Sequence, residues 1–109
     1  MVAGPRMTPQ TIEVLRALLD DPATPRYGLD IARQTGLKTG TLHPILARLQ
    51  RIGLVESFWE DPAEHEDQGR PRRRYYRLTG LGAAQAHQVV ARTEASTGRL
   101  SALRPRLGH

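Results

Sequence analysis

The chain has no cysteine among its 109 residues. That excludes disulfides, zinc–thiolate sites and cysteine nucleophiles, and it is compatible with a reducing compartment. It has no apolar run near the ~18 residues that a membrane-spanning helix needs. The opening stretch Met1–Met7, MVAGPRM, lacks the apolar centre of a secretory signal. No membrane partner is therefore expected, and a cytoplasmic location is. Catalytic patterns are missing too. None of His43, His65, His87 and His109 stands in a motif that pairs a nucleophile with a base, and there is neither a glycine-rich phosphate loop nor an HExxH pattern. The expectation is a protein that is not an enzyme and carries no cofactor. His65 lies among carboxylates, but one imidazole in a polar loop is not preorganised for a cation, so no metal site is expected. No internal repeat is visible.

What is present is positive charge. Sixteen lysines and arginines against eleven acidic residues give a formal charge of +5 and a pI near 10.7. A basic balance points to nucleic acid or another anionic surface. The length suits one small domain with a modest core, which a dimer interface would supplement.

The stretch Lys38–Val55, KTGTLHPILARLQRIGLV, organises the rest. Leu42, Ile45, Leu46, Leu49 and Ile52 recur at the spacing of one buried helix face. Thr39 or Thr41 is expected to cap the start, Pro44 to fall in or just after the first turn, and Gly53 to end the helix before a strand at Leu54-Val55. The opposite face carries Thr41, His43, Arg48 and Arg51, with Lys38 at its start. A helix that is apolar beneath and basic above suits packing on a core while lying against an anion.

Upstream, Thr8-Pro9 reads as an N-cap and first helical residue. Ile12, Leu15, Leu18 and Leu19 form the expected stripe of that helix, which Asp20-Asp21-Pro22 stops. Ala23–Arg26 reads as a loop. Tyr27–Gln34 reads as a second helix, with Leu29, Ile31 and Ala32 apolar. Ala32, Gly36 and Leu42 stand at the small-residue, turn-glycine and buried-aliphatic offsets of a helix-turn-helix, with Leu37 plugging the turn. An ordinary αα-hairpin is the plainer alternative.

Downstream, Leu54–Glu60 and Arg72–Leu78 read as two strands of a wing joined by the polar segment Glu60–Pro71. One of Phe58 and Trp59 is expected to face inward, since neighbours on a strand point opposite ways. Arg70, Arg72, Arg73, Arg74 and Arg77 place five guanidiniums within eight residues. Guanidinium forks match phosphate oxygens, and a hairpin beside a recognition helix reaches the adjacent backbone or minor groove. Glu60, Asp61, Glu64, Glu66 and Asp67 crowd the joining loop, so the DNA-facing charge is assigned to the base and return strand and not to the tip. Thr79 is expected to cap a last helix running to about Thr97, with Gly80 and Gly82 weakening its first turn and Gly98 a point of interruption. Ala83, Ala84, Ala86, Val90 and Thr93 form a thin stripe on it, which Leu100, Leu103 and Leu107 extend. Pairing with a second copy is the expected use of that stripe, and closing the monomer core is the alternative.

The fold expected is mainly α with a small antiparallel β-hairpin: a flexible arm at 1–7, a winged helix-turn-helix at 8–79, and a dimerisation helix and tail at 80–109. DNA contacts are expected from Lys38, Thr39, Thr41, His43, Arg48, Arg70, Arg72, Arg73 and Arg74.

The chain resembles the short members of the PadR family of bacterial transcriptional regulators from about Ile12 to Ala84. The resemblance rests on Tyr27-Gly28-Leu29, Gly40-Thr41-Leu42-His43-Pro44-Ile45-Leu46, Leu49 with Gly53-Leu54-Val55, Trp59, Gly69-Arg70-Pro71-Arg72 and Tyr75-Tyr76-Arg77-Leu78-Thr79. It implies a homodimer paired through the last helix that binds palindromic promoter double-stranded DNA and usually represses. In some members a small aromatic effector near the dimer interface releases the DNA. The chain departs from the pattern at His43, where the family usually has tyrosine. It departs again at Thr79-Gly80-Leu81-Gly82, which replaces Thr-Pro-Glu-Gly and lacks a capping box. Other readings are a winged-helix module for an acidic protein partner and an effector sensor.

Overall fold

The computed structural model describes residues 7–63 and 69–103, with side chains described as far as residue 96. The expected arm before Met7, the acidic-loop residues Glu64, His65, Glu66 and Asp67, and Leu107 lie outside the described residues. So do the side chains of Leu100 and Leu103.

Helix α1 spans Pro9–Leu19. Thr8 caps it, its hydroxyl accepting from the Thr11 amide, and Pro9 opens it. Its buried side is Thr11, Val14, Leu15, Ala17 and Leu18. Ile12 and Leu19, expected in the stripe, are half-buried flanks, because the core lies to the Val14 side of the helix. Strand β1 is only Arg26–Tyr27, and α2 follows at Gly28–Thr35. Ile31 and Ala32 of α2 are buried, whereas Leu29 is 49% exposed. Gly36 takes φ of 75° and returns its N–H to the Ala32 carbonyl at 2.8 Å. A side chain would be strained there, so glycine fixes the helix-turn-helix angle.

Helix α3 spans Thr39–Arg51 and buries Leu42, Ile45, Leu46 and Leu49. Ile52, expected on that face, becomes the C-cap residue and is 40% exposed. Lys38 is the N-cap residue and makes no side-chain cap bond, so neither Thr39 nor Thr41 caps the helix. Both threonines fall inside the first turn, with their side chains exposed.

Strands β2 (Val55–Trp59) and β3 (Arg74–Leu78) pair antiparallel with Val55 opposite Leu78 and Trp59 opposite Arg74. The sheet has three strands in the order β1-β3-β2, not the two of a simple hairpin. The residues just before α2 pair with the free edge of β3, Tyr27 opposite Tyr75. Val55, Tyr76 and Leu78 of the inner face join the core. Phe58 and Trp59 do lie on opposite faces, but neither is buried, at 39% and 51% exposure. The hairpin runs past the edge of the core, so the inner-face position at Trp59 has no helix beneath it.

Helix α4 spans Gly80–Leu103 and passes through Gly98 without a break. Thr79 caps it: its hydroxyl accepts the Gly82 amide at 3.0 Å and donates to the Gly53 carbonyl at 2.7 Å. Gly82 weakens nothing that could be spared. A Cβ there would lie 1.8 Å from the Leu54 carbonyl oxygen, so glycine is required for the close approach of α4 to the chain entering β2. Ala86 is fully buried and Val90 is 9% exposed within the single chain, while Ala83 and Thr93 are half-buried. Ala86 joins the core cluster and Ala83 packs against it, with α4 lying beside α1. Thr93 turns its hydroxyl back to the Val89 carbonyl at 2.9 Å. Among the described residues no helix is long and apolar enough to cross a membrane.

Candidate nucleic-acid interface

The start of α3 is electropositive by construction. Its first turn contains no acidic residue and follows Lys38. The amide ends of a helix N-terminus attract anions. Along the exposed side, Gly40, Pro44, Ala47 and Arg51 recur opposite the buried stripe. Three of these four are small, so the helix backbone can come close to a groove floor. Pro44 is the sixth residue of α3. Its missing N–H leaves the Gly40 carbonyl without an intrahelical partner, on the ridge where solvent reaches it.

One flank of this ridge meets the wing. Thr39 and His43 of α3, Tyr27, Gly28 and Leu29 at the start of α2, and Arg73, Arg74 and Tyr76 line a notch of about 250 Å³. The contact is close: a Cβ on Gly28 would sit 3.4 Å from His43 Cε1. Four of the residues expected to touch DNA, Thr39, His43, Arg73 and Arg74, are thus brought together. Lys38 and Thr41 are exposed near the same helix end.

Arg48 is placed differently. Its guanidinium turns toward α1 and donates to the Thr11 hydroxyl at 2.9 Å, and Thr11 Oγ1 lies 2.9 Å from the Thr8 hydroxyl. It ties α3 to α1 and does not join the notch. On a helix, position 48 lies at the border of the buried arc, where a long side chain can fold inward.

Aromatic rings and a carboxylate hold the wing arginines. Arg72 and Arg74 lie over Trp59, with guanidinium carbons 5.7 and 5.1 Å from its ring centre. Arg74 also donates to the Ser57 hydroxyl at 2.8 Å. Arg73 lies 4.1 Å over Tyr27, which meets Tyr75 edge-on, and Tyr75 stacks on Phe58. Arg77 lies over Phe58, its guanidinium carbon 5.5 Å from the ring centre, and pairs with Glu56 at 2.6 Å. Arg70, expected among the DNA contacts, forks onto Glu60 at 2.7 and 2.6 Å. The Arg70 hydrogen bonds, opposed by burial and helped by the Arg73 amide, hold the Glu60 carboxyl down at about 2.

Sequence reasoning missed three features. Glu60 reads as one more loop carboxylate, and nothing local marks it as buried. Trp59, on the inner face, is a shelf for two guanidiniums, a role the expectation that one of Phe58 and Trp59 faces inward did not contain. The small ridge of α3 was overlooked, although it is the complement of the buried stripe and could have been found from it. No group of three or more histidine, aspartate or glutamate side chains among the described residues could hold a metal ion.

A model of the transcriptional regulator PadR-like family matches residues 14–88. A crystal structure of a candidate DNA-binding protein from Ralstonia eutropha is 31% identical, with 77% of this chain and 98% of that one covered at a TM-score of 0.59. A protein of unassigned function from Lysinibacillus sphaericus is 29% identical over 71% of each chain. At the level of fold, Bordetella bronchiseptica BpsR, whose DNA binding is regulated by 6-hydroxynicotinic acid, is similar at 22% identity and a TM-score of 0.70. That match covers 95% of this chain and 73% of BpsR. Staphylococcus aureus MepR, a transcription regulator of a multidrug efflux pump, is similar at 18% identity and 0.68, with 91% and 67% covered.

Proposed function

Because the chain belongs to the PadR-like family of transcriptional regulators, we propose that it is a homodimeric repressor that binds palindromic promoter DNA. In this reading the start of α3 enters the major groove and the wing grips the flanking backbone. The observation that supports it best is the notch in which Thr39 and His43 of the helix meet Arg73 and Arg74 of the wing. Helix N-termini of this type present base-reading side chains, and guanidiniums beside them meet phosphates. Thr41 and His43 are assigned to base edges. Lys38, Arg72, Arg73 and Arg74 are assigned to phosphate.

In this reading the two copies pair through α4, where Ala83 and Thr93 keep part of their surface and Glu94, Ala95 and Ser96 beyond them are exposed. Nearby, a groove of about 440 Å³ between α1 and α4 is lined by Met7, Ile12, Val89, Arg92, Thr93 and Ser96. A small aromatic effector, of the kind that regulates BpsR, would find apolar walls there.

The test is a fluorescence titration of the protein with labelled duplex DNA across a salt series. Four phosphate contacts per protomer, at about 0.9 each, give a log–log slope near −7 for a dimer. A slope near zero would reject DNA binding through this basic surface.

A further inference from the structure

Glu60 is 3% exposed and stands at the end of β2, beside arginines assigned to phosphate. A carboxylate in that position should repel DNA. Its contacts indicate a different effect. Oε1 accepts from Arg70 Nη1 at 2.7 Å and from the Arg73 amide at 3.3 Å. Oε2 accepts from Arg70 Nη2 at 2.6 Å and from the Tyr75 hydroxyl at 3.4 Å. The backbone of the same residue is equally engaged. Its N–H donates to the Arg73 carbonyl at 2.8 Å, and its carbonyl accepts from Arg72 Nε at 3.0 Å. One residue therefore binds Arg70, Arg72, Arg73 and Tyr75 across the mouth of the wing loop.

Resting on the DNA-binding reading above, we propose that Glu60 is a positioning residue for the wing. By holding Arg70 and the Arg73 amide it fixes the turn that leads into β3, so that Arg72, Arg73 and Arg74 stand where phosphates can meet them. The Glu60–Arg70 pair is neutral as a unit and adds little to long-range attraction. Its contribution is order. Guanidiniums already held against Trp59 and Tyr27 lose less freedom when they bind, whereas a released turn would have to be reordered by the DNA.

The proposal has a sign that charge alone does not give. Glu60→Gln removes one negative charge per protomer, so electrostatics by itself predicts tighter binding and a salt slope steeper by about 0.9 per protomer. Positioning predicts the reverse. The full-length protein is titrated with a random-sequence duplex over a salt series, at a temperature where circular dichroism shows each variant folded. Glu60→Gln is expected to weaken binding about tenfold and to make the slope shallower by about one unit per protomer, the loss of one phosphate contact. Loss of stability alone would lower the folded fraction and leave the slope of the folded protein unchanged. Unchanged or tighter binding, or a steeper slope, overturns the proposal. Arg70→Lys keeps the net charge and loses the bidentate fork. It is expected to shift binding the same way, and it decides the matter if Glu60→Gln does not fold. Amide hydrogen exchange without DNA gives an independent reading. The Arg73 amide should lose protection in either variant, and full protection there overturns the proposal. Wild-type protein that ignores DNA would reject the functional reading, while the exchange result would still decide whether Glu60 holds the turn.

Discussion

Replacing Gly82 by alanine should destabilise the protein, against the usual sign for a glycine inside a helix. On propensity alone the change would gain about 0.4–1 kcal/mol. In the fold, the new Cβ would sit 1.8 Å from the Leu54 carbonyl oxygen and 2.7 Å from its carbon. Reaching even a tight 3.0 Å requires a shift of 3.0 − 1.8 = 1.2 Å between two backbone segments, neither of which can yield as a flexible side chain does. That shift pulls on the Thr79 amide, bonded to the same carbonyl at 3.0 Å, and on the Thr79 hydroxyl bond to Gly53. It also lifts Ala86 from the core. Overpacking costs about 1–3 kcal/mol and weakened hydrogen bonds about 1 kcal/mol each. After the propensity gain, a net loss of about 2–3 kcal/mol remains. For a domain of this size that lowers the melting temperature by roughly 10–20 °C. Gly80→Ala is the internal control, since no atom lies within 4 Å of its new Cβ. It should be neutral or slightly stabilising. Thermal melts followed by circular dichroism decide the question. A Gly82→Ala protein that melts at or above wild type would show that the approach of α4 to Leu54 has room for a methyl group.

Other expectations follow from the same geometry. Changing Arg72, Arg73 and Arg74 together to alanine should make the salt slope of DNA binding shallower by about two to three units per protomer, and an unchanged slope would show that these side chains do not meet phosphate. His43→Ala should relax sequence choice by about 1–3 kcal/mol at one half-site position, whereas equal weakening on every sequence would move His43 to the backbone contacts. Val90→Asp places a charge on a position 9% exposed within one chain, so it should abolish the cooperative melt and not yield folded monomers; a folded monomer by light scattering and circular dichroism would show that Val90 belongs to a dimer face. The Glu60 carboxyl is held below its ordinary 4.5 at about 2. Its contribution to stability is therefore present above the ordinary value and is lost as pH falls through that window. The gap in melting temperature between wild type and Glu60→Gln should be full near neutral pH and shrink between those two values, and a gap that does not change with pH would dissociate stability from the ion pair.

Periodic features were legible in the sequence. The buried stripe of α3 repeats four times in one helix, and the offsets Ala32, Gly36 and Leu42 follow from the geometry of two crossing helices, so both could be read before any coordinates. Thr8-Pro9 and Thr79 marked helix starts because caps are local. Features made by distant partners were not legible. A two-residue strand such as β1 has no period to detect, and it exists only because β3 has a second edge. The stripe on α4 announces burial without saying against what; Ala86 packs into the core of its own chain. Glu60 sits in a run of carboxylates that reads as solvated. Its partner Arg70 is ten residues away across a loop, and neither spacing nor composition links them. The same loop concealed that Trp59 and Phe58 both emerge beyond the core.

In the proposed reading, the start of α3 and the adjoining wing read duplex DNA by sequence. Selection of bound duplexes from a random pool, followed by titration of the selected and unselected DNA at one salt concentration, tests it most directly. A selected site should be bound about 10³-fold or more tightly than random DNA, with His43→Ala erasing much of that ratio and Arg73→Ala lowering both affinities together. Equal affinity of wild-type protein for selected and random duplexes would contradict it.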